Sequence, residues 1–230
     1  FLDRAAKFAV GGLTAAGLLA ALSPDFAIAQ VVPQGDPRIS TQRVELASPS
    51  GSGLVKAYVA KPAGAAGQLP GVLVVHENRG LNPHIEDVAR RFALEDFIAF
   101  APDALFPLGG YPGDEDSARA LFQQLDQAKT REDMLAAAVY LATVDGGNGR
   151  MGAIGFCYGG AIANFLATRL PDLRAAVPFY GSGAPLADVP AINAELLVVL
   201  ASDDERVNAG WPAYEAALKA AGVRHTAHQY

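Results

Sequence analysis

The run GVLVVHE at residues 71–77 stays apolar until its last two positions. A strand with one wet face alternates apolar and polar side chains. An unbroken apolar run that ends in polar residues reads instead as a parallel strand buried on both faces. Apolar positions spaced three and four apart follow at Ile85, Val88, Ala89 and Phe92, so the spacing predicts a helix over 83–95. The alternation then repeats. FIAFAPDAL is a short strand, and helices are expected near 114–127 and 130–144, the second marked by Thr130 with Glu132 and Asp133. RMGAIGF (150–156) is a strand, 158–169 a helix, AAVPFYG a strand and ELLVVLA (195–201) a strand. An amphipathic helix over 208–221 leads to RHTAHQY, the start of one more strand. Strands alternating with helices over short connections specify an α/β fold, a doubly wound and mostly parallel sheet with helices on both faces. Upstream, runs at 43–47 and 54–60 around Pro-Ser-Gly-Ser-Gly read as a β-hairpin.

A length of 230 residues with 51% hydrophobic content suits one well-filled domain and is short for two. The formal net charge of −6 argues against nucleic acid as a partner. A lone cysteine rules out an intrachain disulfide framework and a Cys-rich metal site. The N-terminus carries Arg4 and Lys7, an apolar run from Phe8 to Leu22, and Ala27-Ile28-Ala29 before Gln30. This is the layout of a cleaved export signal over 1–29, with a retained membrane anchor as the alternative. The opening FLDRAAKF resembles the continuation of a twin-arginine signal, and the missing initiator Met suggests residues upstream. The expectation is export, to the periplasm of a bacterium, with no stable membrane association after cleavage. Polar, Pro-containing residues 30–42 read as a linker, and 43–230 as the domain.

The cysteine sits in Gly155-Phe156-Cys157-Tyr158-Gly159, where a strand passes to a helix. The turn is so tight that side chains at the flanking positions would collide with neighbouring elements, which is why glycine is needed there. The central residue then projects above the sheet in strained backbone geometry, at a helix N-terminus whose partial positive charge favours a thiolate. The Tyr158 N–H would face a developing oxyanion. The alternative is a buried cysteine in a Gly-rich connection. In such a fold an acid follows on a later strand, and Asp203 and Asp204 stand after the 195–201 strand, either of them also able to cap the next helix. The strand ending His76-Glu77-Asn78-Arg79-Gly80 offers the Asn78 N–H as a second oxyanion donor, while His76 and Glu77 could simply cap the strand.

Other patterns carry no site. Gly147 to Gly152 matches a dinucleotide fingerprint but precedes a strand instead of following one. Ser182 leads into Pro185 and a loop, and the four histidines show no zinc-like clustering. His225 and His228 are three apart in a strand, so they would face opposite sides.

Three segments together, GVLVVHENRGLNPHIEDVARRFA, GFCYGG and ASDDERVNAG with the AYEAALKAAGV that follows, resemble the dienelactone hydrolases (carboxymethylenebutenolidases) of the α/β-hydrolase superfamily. The resemblance runs from about residue 43 to the end. It implies Cys157 as nucleophile, Asp204 of the Asp-x-x-Val motif as triad acid, and Glu77 as the glutamate that contacts the resting cysteine. It further implies the Asn78 and Tyr158 amides as oxyanion donors, no cofactor or metal, and a small-molecule ester or lactone as substrate, with arginines holding a substrate carboxylate. Arg79, Arg119 and Arg206 are available for that task. The family's triad histidine follows the final strand, so it is expected beyond Tyr230, on the reading that the chain is cut at both ends. A broad carboxylesterase or thioesterase, and a non-catalytic binding protein with an incomplete triad, are the other classes this sequence allows.

Overall fold

The computed structural model describes residues 30–230. The export-signal expectation for 1–29 lies outside them. Among the described residues, one eight-stranded sheet runs in the order β1-β2-β4-β3-β5-β6-β7-β8. β1 (Ile39–Ser48) and β2 (Gly53–Pro62) form the expected hairpin, and β2 continues antiparallel onto β4 (Ile98–Pro102). From β4 onward every pairing is parallel, through β3 (Leu69–Val75), β5 (Gly147–Phe156), β6 (Leu173–Phe179), β7 (Glu195–Leu200) and β8 (His225–Gln229).

β3 sits at the centre, and its two faces explain its unbroken apolar run. Val72 and Val74 point to a layer formed by α1 (Pro83–Leu94) through Ile85, Val88, Ala89 and Ala93. Leu73 and Val75 point the other way, to α3 (Gln127–Leu141) and α4 (Tyr158–Arg169), which contribute Met134, Ala138, Ile162 and Leu166. Each fully buried Val or Leu contributes about 1.5–3 kcal/mol, so slipping this strand by one residue gains nothing on either face. Asn82 starts α1, its side chain accepting from the Ile85 N–H at 3.0 Å, and Pro83 fills the first helical turn.

The helical periodicity misplaces the end of one helix and the start of the next. α2 (Glu115–Phe122) ends earlier than expected, and α3 is capped by Asp126, which accepts from Ala128 and Lys129, not begun at Thr130. The Thr130 hydroxyl lies inside the first turn, bonded to the Asp126 carbonyl. The expected 208–221 helix is two pieces, α5 (Glu205–Asn208) and α6 (Trp211–Ala220), broken at Ala209 and Gly210, with Pro212 in the first turn of the second.

The linker expected over 30–42 is also corrected. β1 begins at Ile39, and the residues before it are strapped to α1. The buried Asp87 carboxylate accepts from the Val31 and Val32 N–H groups at 3.2 and 2.8 Å, and Arg90 Nε donates to the Val32 carbonyl at 2.6 Å. Arg90 is 0% exposed and also reaches the Tyr58 hydroxyl, while Arg91 pairs with Asp87. Composition reads as polar here because the strap is held by side-chain-to-backbone bonds from a helix more than fifty residues away. Among the described residues no helix is long and apolar enough to cross a membrane.

Candidate active site

The strand order creates a crevice before any side chain is considered. β3 connects through α1 to β4 on one side, and β5 pairs with β3 on the other. The chain therefore leaves the C-terminal ends of β3 and β5 in opposite directions, and ligands of open α/β sheets bind at such a switch point. The residues delivered there are Glu77 and Asn78 after β3 and Cys157 and Tyr158 after β5.

Cys157 has φ 54° and ψ −110°, a left-handed region that a non-glycine residue enters only at a cost of about 1–3 kcal/mol. Close packing enforces it. A Cβ on Gly155 would lie 2.0 Å from the Gly159 carbonyl oxygen, and one on Gly159 would lie 2.2 Å from the Val75 carbonyl oxygen. The first turn of α4 is thus pressed against β5 and the end of β3 at separations only glycine permits. The Cys157 N–H is used by the Phe179 carbonyl at 2.9 Å, which ties the elbow to β6. Tyr158, as the first residue of α4, leaves its N–H outside the helical ladder and at the positive end of the helix.

His76, the last residue before this loop, is 0% exposed. Its Nδ1 bonds the Glu77 carbonyl and its Nε2 accepts from the Ala104 N–H at 3.1 Å, which selects the neutral tautomer protonated on Nδ1. Burial is the main cause pushing its pKa down, against the charges of Asp103 and Glu77 and the Glu77 carbonyl bond. The structural role weighed for His76 is therefore the observed one: it braces the loop carrying Glu77 and Asn78 against the end of β4. Its ring also stacks on Tyr158, centroids 6.4 Å apart, and Phe122 of α2 packs edge-on against Tyr158 at 4.7 Å. Burial pushes the Tyr158 phenol up in pKa, and its hydroxyl has no hydrogen-bond partner.

Tyr180 is the residue that sequence reasoning missed. It directly follows β6 with φ 38°, a non-glycine residue in the left-handed region like Cys157 and Asp96. Its phenol stands close enough to the Glu77 carboxylate and to Cys157 for their charges to act on it. Burial first, then the nearby Glu77 and Cys157 charges, push it up to about 12, so the phenol keeps its proton. Glu77, Cys157 and Tyr180 therefore meet above β3, β5 and β6. Only the strand order brings Tyr180 there; its position in AAVPFYG signals a buried strand end and nothing more.

Asp204 stands apart. It follows β7, two strands from β5, and its Oδ1 accepts from the Val207 N–H at 3.0 Å as the cap of α5. Its Oδ2 faces Arg206 at 3.8 Å. The capping role weighed for it is thus realised, on a shorter helix than expected, while Asp203 is exposed. The final strand ends beside this loop, where the Ser202 N–H donates to the Tyr230 carbonyl at 2.7 Å. His225 begins β8 at the opposite end of the sheet, against Trp211 and bonded to the Val223 carbonyl, and His228 is exposed. The rejected glycine fingerprint falls inside β5, and no metal-binding cluster occurs among the described residues.

Comparison with known proteins places this fold in a family. The dienelactone hydrolase family model matches residues 55–230. The chain belongs to the dienelactone hydrolase family. The crystal structure of a dienelactone hydrolase-like promiscuous phosphotriesterase, P91, from metagenomic libraries superposes with a TM-score of 0.73 at 27% identity, over 84% of this chain and 82% of that one. Acylaminoacyl peptidase of Pyrococcus horikoshii, at 15% identity and TM-score 0.65 over 84% of this chain and 37% of that one, shares the α/β-hydrolase fold alone. Protein usf of Aquifex pyrophilus is 36% identical over 170 residues, 67% of this chain and 68% of that protein. A hydrolase fragment of Escherichia coli K12, YghX, is 51% identical over 114 residues, 50% of this chain and 97% of the fragment. Against relatives whose proposed name is carboxymethylenebutenolidase, the chain spans about half their length, 55% for that of Synechocystis and 50% for that of Salmonella typhi.

Proposed function

We propose that this family member hydrolyses a carboxylic ester or lactone through an acyl-enzyme on Cys157. The observation that carries the proposal is the strained elbow. A thiol held at φ 54° on a helix N-terminus, between two glycines that admit no Cβ, is a costly backbone arrangement of the kind that clusters at active sites. In this reading the thiolate attacks the carbonyl carbon, and the backbone N–H groups of Asn78 and Tyr158 receive the oxyanion. Collapse expels the alcohol, which takes a proton, and leaves a thioester. Water then adds to the thioester, and the acid departs as the Cys157 sulfur regains its proton. Glu77, beside the Tyr180 phenol, assists deprotonation of the thiol. The reading keeps Asp204, on the loop after β7, as the acid that orients the general base.

The test is Cys157→Ala in the full protein with p-nitrophenyl esters and simple lactones. Turnover should fall by at least a thousandfold, and the acyl adduct seen by intact mass in the parent protein should vanish. Unchanged hydrolysis would defeat the assignment.

For location, the proposal is export with cleavage after Ala29. The folded unit that begins at Val31, anchored through Asp87, supports it by starting directly after that site. N-terminal sequencing of the secreted protein should read from Gln30, and an uncleaved, cell-retained chain would refute it.

A further inference from the structure

β1 is an edge of the sheet, and its outer side has no strand beside it among the described residues. Its 10 residues pair with β2 without a register shift, from Ile39 opposite Pro62 to Ser48 opposite Gly53. The Ala63 N–H donates to the Arg38 carbonyl at 2.9 Å, which starts the ladder with even-numbered residues turned towards β2. Backbone groups alternate in direction along an antiparallel strand, so Thr41, Arg43, Glu45 and Ala47 turn their N–H and C=O groups outward. Proteins blunt such edges with short strands, prolines, bulges or lysines. Residues 39–48 contain no proline, no lysine and no bulge. A groove of about 650 Å³ lies along the last part of this edge, between residues 45–50 and α3. Leu46, Pro49, Leu135, Ala136, Val139 and Tyr140 give it apolar walls, and Val139 is 53% exposed. α3 thus carries a second apolar stripe besides the one buried through Met134, Ala138 and Leu141.

The charges on this edge complement themselves. Antiparallel pairing of two β1 strands about a two-fold axis at Val44 sets Arg43 of each copy opposite Glu45 of the other. Both side chains lie on the face that α1 covers, where Arg43 pairs with Glu86 and lies over the Tyr58 ring, and Glu45 faces Lys56 at 3.3 Å. Each is still 50% exposed, which leaves room for a second partner. Moving the axis by one residue, to Arg43 or to Glu45, sets like charges against each other, which destabilises a strand pair. On the opposite face Val44 meets its own counterpart, Leu46 stands against Gln42, and the groove beside α3 is closed by the second copy. We infer that two copies of this chain associate through β1, joining their sheets into one that runs through both molecules. β1 lies four strands from β5, about 19 Å across the sheet, so the pairing leaves the Cys157 crevice open. The inference stands independently of the chemistry proposed for that crevice.

Association follows mass action, so sedimentation velocity of the full protein at rising concentration should show a shift to twice the chain mass. Cross-linking then reads the register. Val44→Cys in a Cys157→Ala background puts two sulfurs at the axis, in a non-hydrogen-bonded pair with Cα atoms about 4.5 Å apart, and mild oxidation should join them. Gln42→Cys in the same background sits about 13 Å from its counterpart and should stay reduced. Glu45→Pro removes an outward N–H that β2 does not use, so the domain should keep its circular dichroism while the dimer is lost. Glu45→Arg leaves the strand intact, sets Arg43 against an arginine and should weaken association about tenfold. A protein that stays monomeric would leave the edge to some other extended segment and overturn the inference. So would a dimer unaffected by Glu45→Arg, or one in which Val44→Cys fails to cross-link.

Discussion

Gly155→Ala separates a structural elbow from an ordinary strand end. The added methyl would lie 2.0 Å from the Gly159 carbonyl oxygen and 2.2 Å from its carbon, both backbone atoms that no side-chain rotation can move. Reaching even a tight contact of about 3 Å requires β5 and the first turn of α4 to part by about 1 Å. Overpacking of this kind costs typically about 1–3 kcal/mol, and the upper end is expected because the clash is with backbone. For a domain of this size, about 3 kcal/mol corresponds to a melting temperature lower by roughly 6–12 °C. Because the displaced turn carries Cys157 and the Tyr158 N–H, a shift of about 1 Å should also slow ester turnover by about a hundredfold. Gly152→Ala is the control in the same strand. Its methyl would meet the Ala175 carbonyl at 3.4 Å, an ordinary contact, so stability should stay within about 1 kcal/mol of the parent protein. Thermal melts and esterase rates on the two variants decide it. If Gly155→Ala melts within 2 °C of the parent protein with unaltered turnover, the close approach is not what holds the thiol in place, and the reasoning fails.

Two further outcomes follow from buried groups. Asp87→Ala removes the carboxylate that holds Val31, Val32 and Arg91 and faces Arg90 at 3.5 Å, and should cost about 3 kcal/mol by melting, with faster proteolysis within residues 31–36. Burial pushes the Asp87 pKa up, but the Val32 N–H, Arg91 and the Val31 N–H outweigh it and hold the carboxyl below its usual 3.8. A carboxylate lowered on folding stabilises above its unfolded pKa, so this contribution should fade as pH falls below about 3.8, and only in the parent protein. His76 works through a histidine kept neutral by burial, below its usual 6.5. The unfolded chain binds that proton and the folded one does not, so stability should fall as pH drops below about 6.5. In His76→Gln, urea midpoints measured from pH 7.5 to 5 should lose part of that slope. An identical slope would mean that the imidazole is charged in the folded state.

What the chain determines locally was legible in advance. The unbroken apolar run of β3, the three-and-four spacing of α1 and the glycines around Cys157 all act through neighbours in sequence or through the two-faced burial of a strand. The helix over 158–169 and the elbow therefore appear where the residues place them. The starts of α3 and α5 did not, because aspartate, threonine and glutamate near a helix end all suit a cap and only backbone geometry chooses among them. Everything that depends on distant residues came from the tertiary structure. The strap at 31–36 looks polar and loose until Asp87 and Arg90 are brought to it. Tyr180 becomes part of the site because β6 lies beside β5, and Arg79 loses its free charge because α2 sets Glu115 against it. Periodicity records which side of an element is buried. Which charges then face one another is set by how the elements cross, and that is decided only when the sheet is assembled.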